Sequence, residues 1–163
     1  MKLEELFNYK NKLMRDLCCN ENIVKLITNR PDPEVPNHTL PYSQVFPYEF
    51  VPETISHGQT IICFDVDIIK VPNKTFYYPV LYLWLFTHKS NMQIDEGGVR
   101  MDALASEIDA MLNGNRNYGL GQLELDSLGR FSPILDYQGR VMTYTARDFN
   151  RAAPLPVPNR RRP

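Results

Sequence analysis

The sequence predicts an α+β fold: a mostly antiparallel four-stranded sheet, helices packed on one face, and a long Pro-rich arm. Three observations carry this reading. Two apolar runs, 61–71 and 77–87, flank a turn-like Pro72-Asn73-Lys74-Thr75. Two other stretches, 2–18 and 100–113, place apolar residues at helical spacing. The order helix, arm, strand, strand, helix, strand, strand segregates the element types instead of alternating them.

In the first run Ile62, Phe64, Val66 and Ile68 share one face at period two, with Asp65 and Asp67 on the other, the pattern of a half-buried strand. The second run does not alternate in polarity. Tyr78, Val80, Tyr82, Trp84 and Phe86 line one face and Leu81, Leu83 and Leu85 the other, which predicts an interior strand covered on both sides. Periodicity alone also allows a buried helix here, but Pro79 and the aromatic density argue against it.

The first helix, 2–18, carries Leu3, Leu6, Phe7, Leu13, Met14 and Leu17 as its buried stripe, interrupted by Lys10. Asn20 is placed to cap a second short helix with Ile23, Val24 and Ile27, ended by Pro31. In the 100–113 helix Leu104, Ala105, Ile108, Met111 and Leu112 face inward, and Arg100, Glu107 and Asp109 face out. Gly114 supplies the stop. Residues 119–128 set Leu123 and Leu125 against Gln122, Glu124 and Asp126, a one-sided strand. Pro133 and a turn over 136–139 separate it from a last strand, 140–148.

At 163 residues the chain reads as one domain, 1–150, followed by a Pro/Arg tail, 151–163, that the fold should not need. A hydrophobic fraction of 43% suits a globular protein, and no apolar run is long enough for a bilayer span, so no membrane partner is expected. Cys18 and Cys19 are adjacent and Cys63 is distant, which is no disulfide framework and fits a reducing compartment. The tail carries four arginines (Arg151, Arg160, Arg161 and Arg162) and no acid. That leaves 14 basic and 19 acidic side chains on the body, a net −5. An acidic body is not the footprint of a dedicated nucleic-acid binder. The basic tail suits an acidic partner surface.

Residues 30–59 form the arm. Pro31, Pro33, Pro36, Pro41, Pro47 and Pro52 fall within 22 residues, a density that blocks helix and interior strand. Yet the arm holds Leu40, Tyr42, Val45, Phe46, Tyr48, Phe50, Val51 and Ile55, more apolar bulk than a disordered linker keeps. These groups either lie over their own core or meet a neighbouring subunit. The arm's length inside a compact domain favours the second. The expected interface residues are Tyr42, Phe46, Tyr48, Phe50, Val51 and Ile55.

No residue set predicts catalysis, and no cofactor or metal is expected. Asp65 and Asp67 with Lys70 suggest a metal-dependent nuclease only if further carboxylates converge there; solvated strand-face acids are the plainer reading. His38, His57 and His88 are scattered, without zinc-ligand spacing. His88, at a strand end, reads as a capping or packing residue, and Cys63 as a small hydrophobe. Gly119-Leu120-Gly121 lacks the third glycine and following helix of a dinucleotide loop. Ser127 and Ser132 lack a nucleophile elbow.

Residues 44–150 nevertheless resemble the tail-terminator (tail-completion) proteins of long-tailed bacteriophages. Val45-Phe46-Pro47-Tyr48, the strand 61–68 and the strand 81–88 ending in His carry the likeness. So do Arg100-Met101-Asp102 with Glu107-Ile108-Asp109, the run 119–125, and the close on Arg147-Asp148-Phe149-Asn150. The Pro/Arg tail lies outside it. The resemblance implies a virion structural protein, made in the host cytoplasm, forming a homo-oligomeric ring, commonly a hexamer, at the head-proximal end of the tail tube. Its partners would be the tail tube protein and the head-completion proteins of the neck, with genomic DNA crossing the lumen without specific binding. A head-closure or adaptor ring is the alternative role; a nuclease at Asp65, Asp67 and Lys70 is the remote one.

Overall fold

The computed structural model describes residues 5–51, 58–70, 76–118 and 121–149. The sequence pattern predicts three helices, and three α-helices form among the described residues: α1 (Glu5–Cys19), α2 (Glu21–Thr28) and α3 (Arg100–Leu112). In α1 the buried stripe is Tyr9, Leu13, Met14, Leu17 and Cys18. Phe7, expected inside, is 72% exposed, because the stripe follows 9, 13 and 17, and position 7 lies off it. The Asn20 side chain caps α2 as expected, accepting from the Ile23 N–H at 3.2 Å. The helix ends before Pro31, at Asn29, whose left-handed φ of 55° closes the turn.

The strands are β1 (Val45–Phe46), β2 (Thr60–Lys70), β3 (Phe76–His88), β4 (Glu124–Phe131), β5 (Tyr137–Thr145) and β6 (Asp148–Phe149). Their order is β1-β2-β3-β5-β4, with β6 against the start of β3. The antiparallel four-stranded sheet is there as β2-β3-β5-β4, but it is not the whole sheet. Strand β1 runs parallel to β2, pairing Val45 with Ile62 and Phe46 with Cys63, so the sheet is mixed and five strands wide. The physical reason is Gln44: its carbonyl accepts from the Ile62 N–H at 2.8 Å, and its side-chain amide donates to the Thr60 carbonyl at 3.0 Å. Pro79 is tolerated inside β3 because its carbonyl accepts from the Ala146 N–H at 3.1 Å, just past the last β3–β5 pair, Val80 with Thr145. Its missing donor therefore falls at the ladder's end.

All three helices cover one face of the sheet. Ile62, Phe64, Val66, Leu81, Leu83, Leu85, Met142 and Tyr144 pack there against Leu13, Leu17, Ile23, Ile27, Leu104 and Ile108. Each such side chain, fully buried, contributes about 1.5–3 kcal/mol. On the opposite face Phe46, Ile61, Cys63, Phe86 and Tyr137 make a second cluster, with Phe50, Trp84, Phe131 and Ile134 against it. The covering segment is the arm itself, folded back through turns whose Leu40 carbonyl accepts from the N–H groups of Ser43, Gln44 and Val45. Strand β3 is thus covered on both sides at its Phe86 end, while Tyr82 and Trp84 stay half-exposed.

Candidate functional site

The titratable residues singled out in the sequence are dispersed. Asp65 is paired with Lys10 of α1 at 2.5 Å, and Asp67 points into solvent. The Lys70 side chain, His57 and Gly119-Leu120 lie outside what is described. Among the described residues no group of three or more His, Cys, Asp or Glu side chains is placed to hold a metal ion. His88 acts as a cap: its Nδ1 accepts from the Ser90 N–H at 3.2 Å, at the start of a 3-10 turn over Lys89–Asn91. Cys63 is buried with its Sγ 3.2 Å from the Phe50 carbonyl, and burial pushes its thiol up to about 11. Ser132 donates to the Tyr137 carbonyl at 2.9 Å and so belongs to the β4–β5 turn.

One buried charge went unread in the sequence. Arg100, expected to face out, is 3% exposed. Its Nε donates to the Asn91 carbonyl at 2.7 Å, Nη1 to the Leu26 carbonyl at 2.8 Å, and Nη2 to Asn29 Oδ1 at 2.7 Å. The guanidinium sits at the C-terminal end of α2, where the helix dipole favours a cation. Burial lowers its pKa, and Asp95 opposes that shift. It faces a groove of about 380 Å³ that also holds Asn22, Lys25, Asp95 and Glu107, but its donors are already engaged by the chain. No local pattern distinguishes this arginine from a solvated one.

The six expected interface residues divide. Phe46 is buried under the arm, 4.2 Å from Phe50 between ring centroids. Phe50 and Val51 are half-buried. Tyr42 is 62% and Tyr48 43% exposed, with the Tyr48 ring edge-on to Phe50 at 6.2 Å. Ile55 lies outside the described residues.

Apolar side chains are also exposed on the β4–β5 hairpin, where the sequence pattern places Leu125 on the inner face of a one-sided strand. Leu125 is 37%, Leu128 51% and Leu135 90% exposed. A register shift between Leu125 and Ser127 places Leu125 opposite Tyr144 and Leu128 opposite Met142, so both leucines fall on the helix-covered face. There they meet Asp102, Ala105, Ser106 and Asp109 of α3 across an apolar groove of about 310 Å³, floored by Met142. Arg140, paired with Asp102 at 2.6 Å, closes one end. Strand β4 is the terminal strand of the sheet order, bonded to β5 alone among the described strands. Its outer edge is met at the start, where Leu123 bonds Gly114 and Asn115 and the Leu125 N–H reaches Asn113 Oδ1 at 3.4 Å, and from there on it pairs with no other described strand. The available signal was the break in alternation at Asp126-Ser127, which marks a bulge.

The arrangement is that of an α+β domain with a partly uncovered apolar edge and no converging set of titratable groups among the described residues. The model of the YomW family matches residues 20–146, and the chain belongs to that family, whose name is that of a phage-derived gene. No curated protein matches the chain.

Proposed function

We propose that this protein is a structural component of a phage particle, forming a ring at the head-proximal end of the tail tube that ends tube polymerisation and joins tail to head. The carrying observation is the β4–β5 hairpin: a terminal strand whose Leu125 and Leu128 stand partly exposed over an apolar groove against α3. Apolar surface concentrated along a strand edge marks a surface that another chain covers. Membership of a phage-related family and the resemblance to tail terminators supply the context. The acidic body, net −5, suits a lumen through which DNA passes without being gripped.

Light scattering on the purified chain tests the assembly. A ring of identical copies is expected, a hexamer in the first instance, against 18.9 kDa for a single chain. Electron microscopy of phage lacking the protein tests the role. Tubes longer than normal and unattached to heads are expected. Tubes of normal length that fail to join heads would move the protein to a head-closure or adaptor ring. A monomer that cuts nucleic acid with a divalent metal would overturn the structural reading altogether.

A further inference from the structure

We propose that the C-terminal segment of one copy, residues 150–163, adds as an antiparallel strand to the outer edge of β4 in the next copy. This deepens the ring reading and rests on it, since a second copy must be present. The first observation is the alternation Pro154-Leu155-Pro156-Val157-Pro158. In an extended chain, successive residues direct their backbone groups to opposite edges and their side chains to opposite faces. Every N–H on one edge of this segment is therefore missing, while Leu155 and Val157 keep theirs on the other. Such a strand pairs once and then ends the sheet, which suits a closed assembly and blocks edge-to-edge growth.

The second observation is spacing. Leu125 and Leu128 stand opposite Tyr144 and Met142, two positions apart on β5, because the bulge absorbs the extra residue. Leu155 and Val157 are likewise two apart on one face. Charge sets the direction. Glu124 and Asp126 are exposed at the Leu125 end, beside Asp109 of α3, whereas Arg130 and Arg140 lie toward the other end. An antiparallel strand puts Leu155 by Leu128 and Val157 by Leu125, where it displaces Asn113 Oδ1 from a 3.4 Å bond to the Leu125 N–H, and carries Arg160, Arg161 and Arg162 to the acids. A parallel strand carries them to the arginines.

Reach makes the contact intermolecular. The tail leaves from β6, whose Phe149 pairs with Phe76 at the start of β3. Leu128 lies two strands over from Leu83, through Met142. Seven residues along β3 and two strand spacings amount to roughly 25 Å. From Phe149 to Leu155 the chain spans at most about 20 Å fully extended. A copy's own tail falls short of its own antiparallel position, so the added strand must come from a second copy.

The test uses two full-length variants, checked for folding by circular dichroism. Leu155→Asp with Val157→Asp disables the tail and leaves the β4 groove intact; Leu128→Asp, on a half-exposed edge position, does the reverse. Each alone is expected to fall from the ring mass to that of one chain. Mixed in equal amounts they should form dimers, since one intact tail then meets one intact groove. If the wild type is a ring and both variants remain rings, the tail contact is overturned and the ring reading stands. Two monomeric variants that give no dimer on mixing also overturn it, by pointing to an intramolecular contact. A wild type that stays monomeric overturns both readings together.

Discussion

Arg100 Nη1 donates to the Leu26 carbonyl at 2.8 Å, tying residues 74 positions apart and joining the first turn of α3 to the last turn of α2. The same guanidinium holds the Asn91 carbonyl and the Asn29 side chain. Arg100→Ala bares three part-buried acceptors at once, each worth about 1–3 kcal/mol if left unmet. Water and relaxation offset part of that, leaving a net loss on the order of 3 kcal/mol. In thermal melts this corresponds to a fall of about 6–12 °C. Arg100→Lys should recover less than half, because an ammonium cannot reproduce the planar fork. A wild-type midpoint in both variants would remove the latch from the account of stability.

Two glycines in the β4–β5 hairpin should respond oppositely to the same change. A Cβ at Gly139 would lie 1.6 Å from the Leu85 carbonyl oxygen and 2.7 Å from the Phe86 Cα. Both obstacles are backbone of the central strand, so the ladder itself must part. Gly139→Ala should cost about 3 kcal/mol or more. At Gly129 the nearest atom is a Val141 methyl at 3.2 Å, which can shift. There alanine should stay within about 1 kcal/mol of wild type. Urea unfolding of the two variants side by side checks the contrast.

Gly139 also shows where reading the sequence stopped working. Taken with Asp136, Tyr137 and Gln138 it looks like a turn, yet β5 begins at Tyr137, and the glycine serves close strand approach. Strand β2 was legible from its alternation over 62–68 and β3 from its long run of aromatic and branched apolar residues, although Tyr82 and Trp84 of β3 are left half-exposed. Strand β4 was placed at 119–128 but runs Glu124–Phe131, since the bulge breaks the alternation where the register is counted. Strand β1 is two residues long and exists through the Gln44 bonds to Ile62 and Thr60, contacts that no local window contains. Leu125, read as inner-face with Leu123, is 37% exposed while Leu123 is buried: polarity patterns report which face a residue is on, not where the covering helix ends.

The cysteines should separate by reactivity and by pH. Cys19 is exposed, while Cys18 and Cys63 are buried. A thiol reagent at pH 8 should modify one equivalent in the native protein and three after unfolding. Burial raises both inner thiols from 9.0 to about 11. A raised folded-state value means the neutral thiol is the form that folding favours. That contribution is whole below about pH 9 and is lost as pH climbs through 11. Tyr9, Tyr118 and Tyr144, also raised chiefly by burial, extend the loss further into alkali. Urea midpoints should be level from pH 7 to 9 and fall above it. A Cys18→Ala, Cys63→Ala double variant should fall less steeply between pH 9 and 11, though from a lower start.

Tyr48 and Phe50 are both among the expected interface residues, and one of them packs while the other stays exposed. Phe50 lies 4.2 Å from the Phe46 ring, and its carbonyl meets the Cys63 thiol. Tyr48 is edge-on to Phe50 at 6.2 Å and tilted against Phe46 at 5.9 Å, yet remains 43% exposed. Truncating Phe50 strips cover from Phe46 and Cys63, so Phe50→Ala should lose about 1–2 kcal/mol, less than a fully buried phenylalanine would. Tyr48→Ala removes an exposed ring with two loose aromatic contacts and should cost at most about 1 kcal/mol in stability, less than Phe50→Ala. Tyrosine buries much area while ordering few rotors, so any neighbour seated on Tyr48 would feel its loss strongly. The expected outcome is therefore a split: Phe50→Ala lowers the melting midpoint, whereas Tyr48→Ala lowers it less and weakens self-association in light scattering. A Tyr48→Ala variant with unchanged mass at every concentration would take the arm out of the subunit contact and leave the β4 edge to carry it.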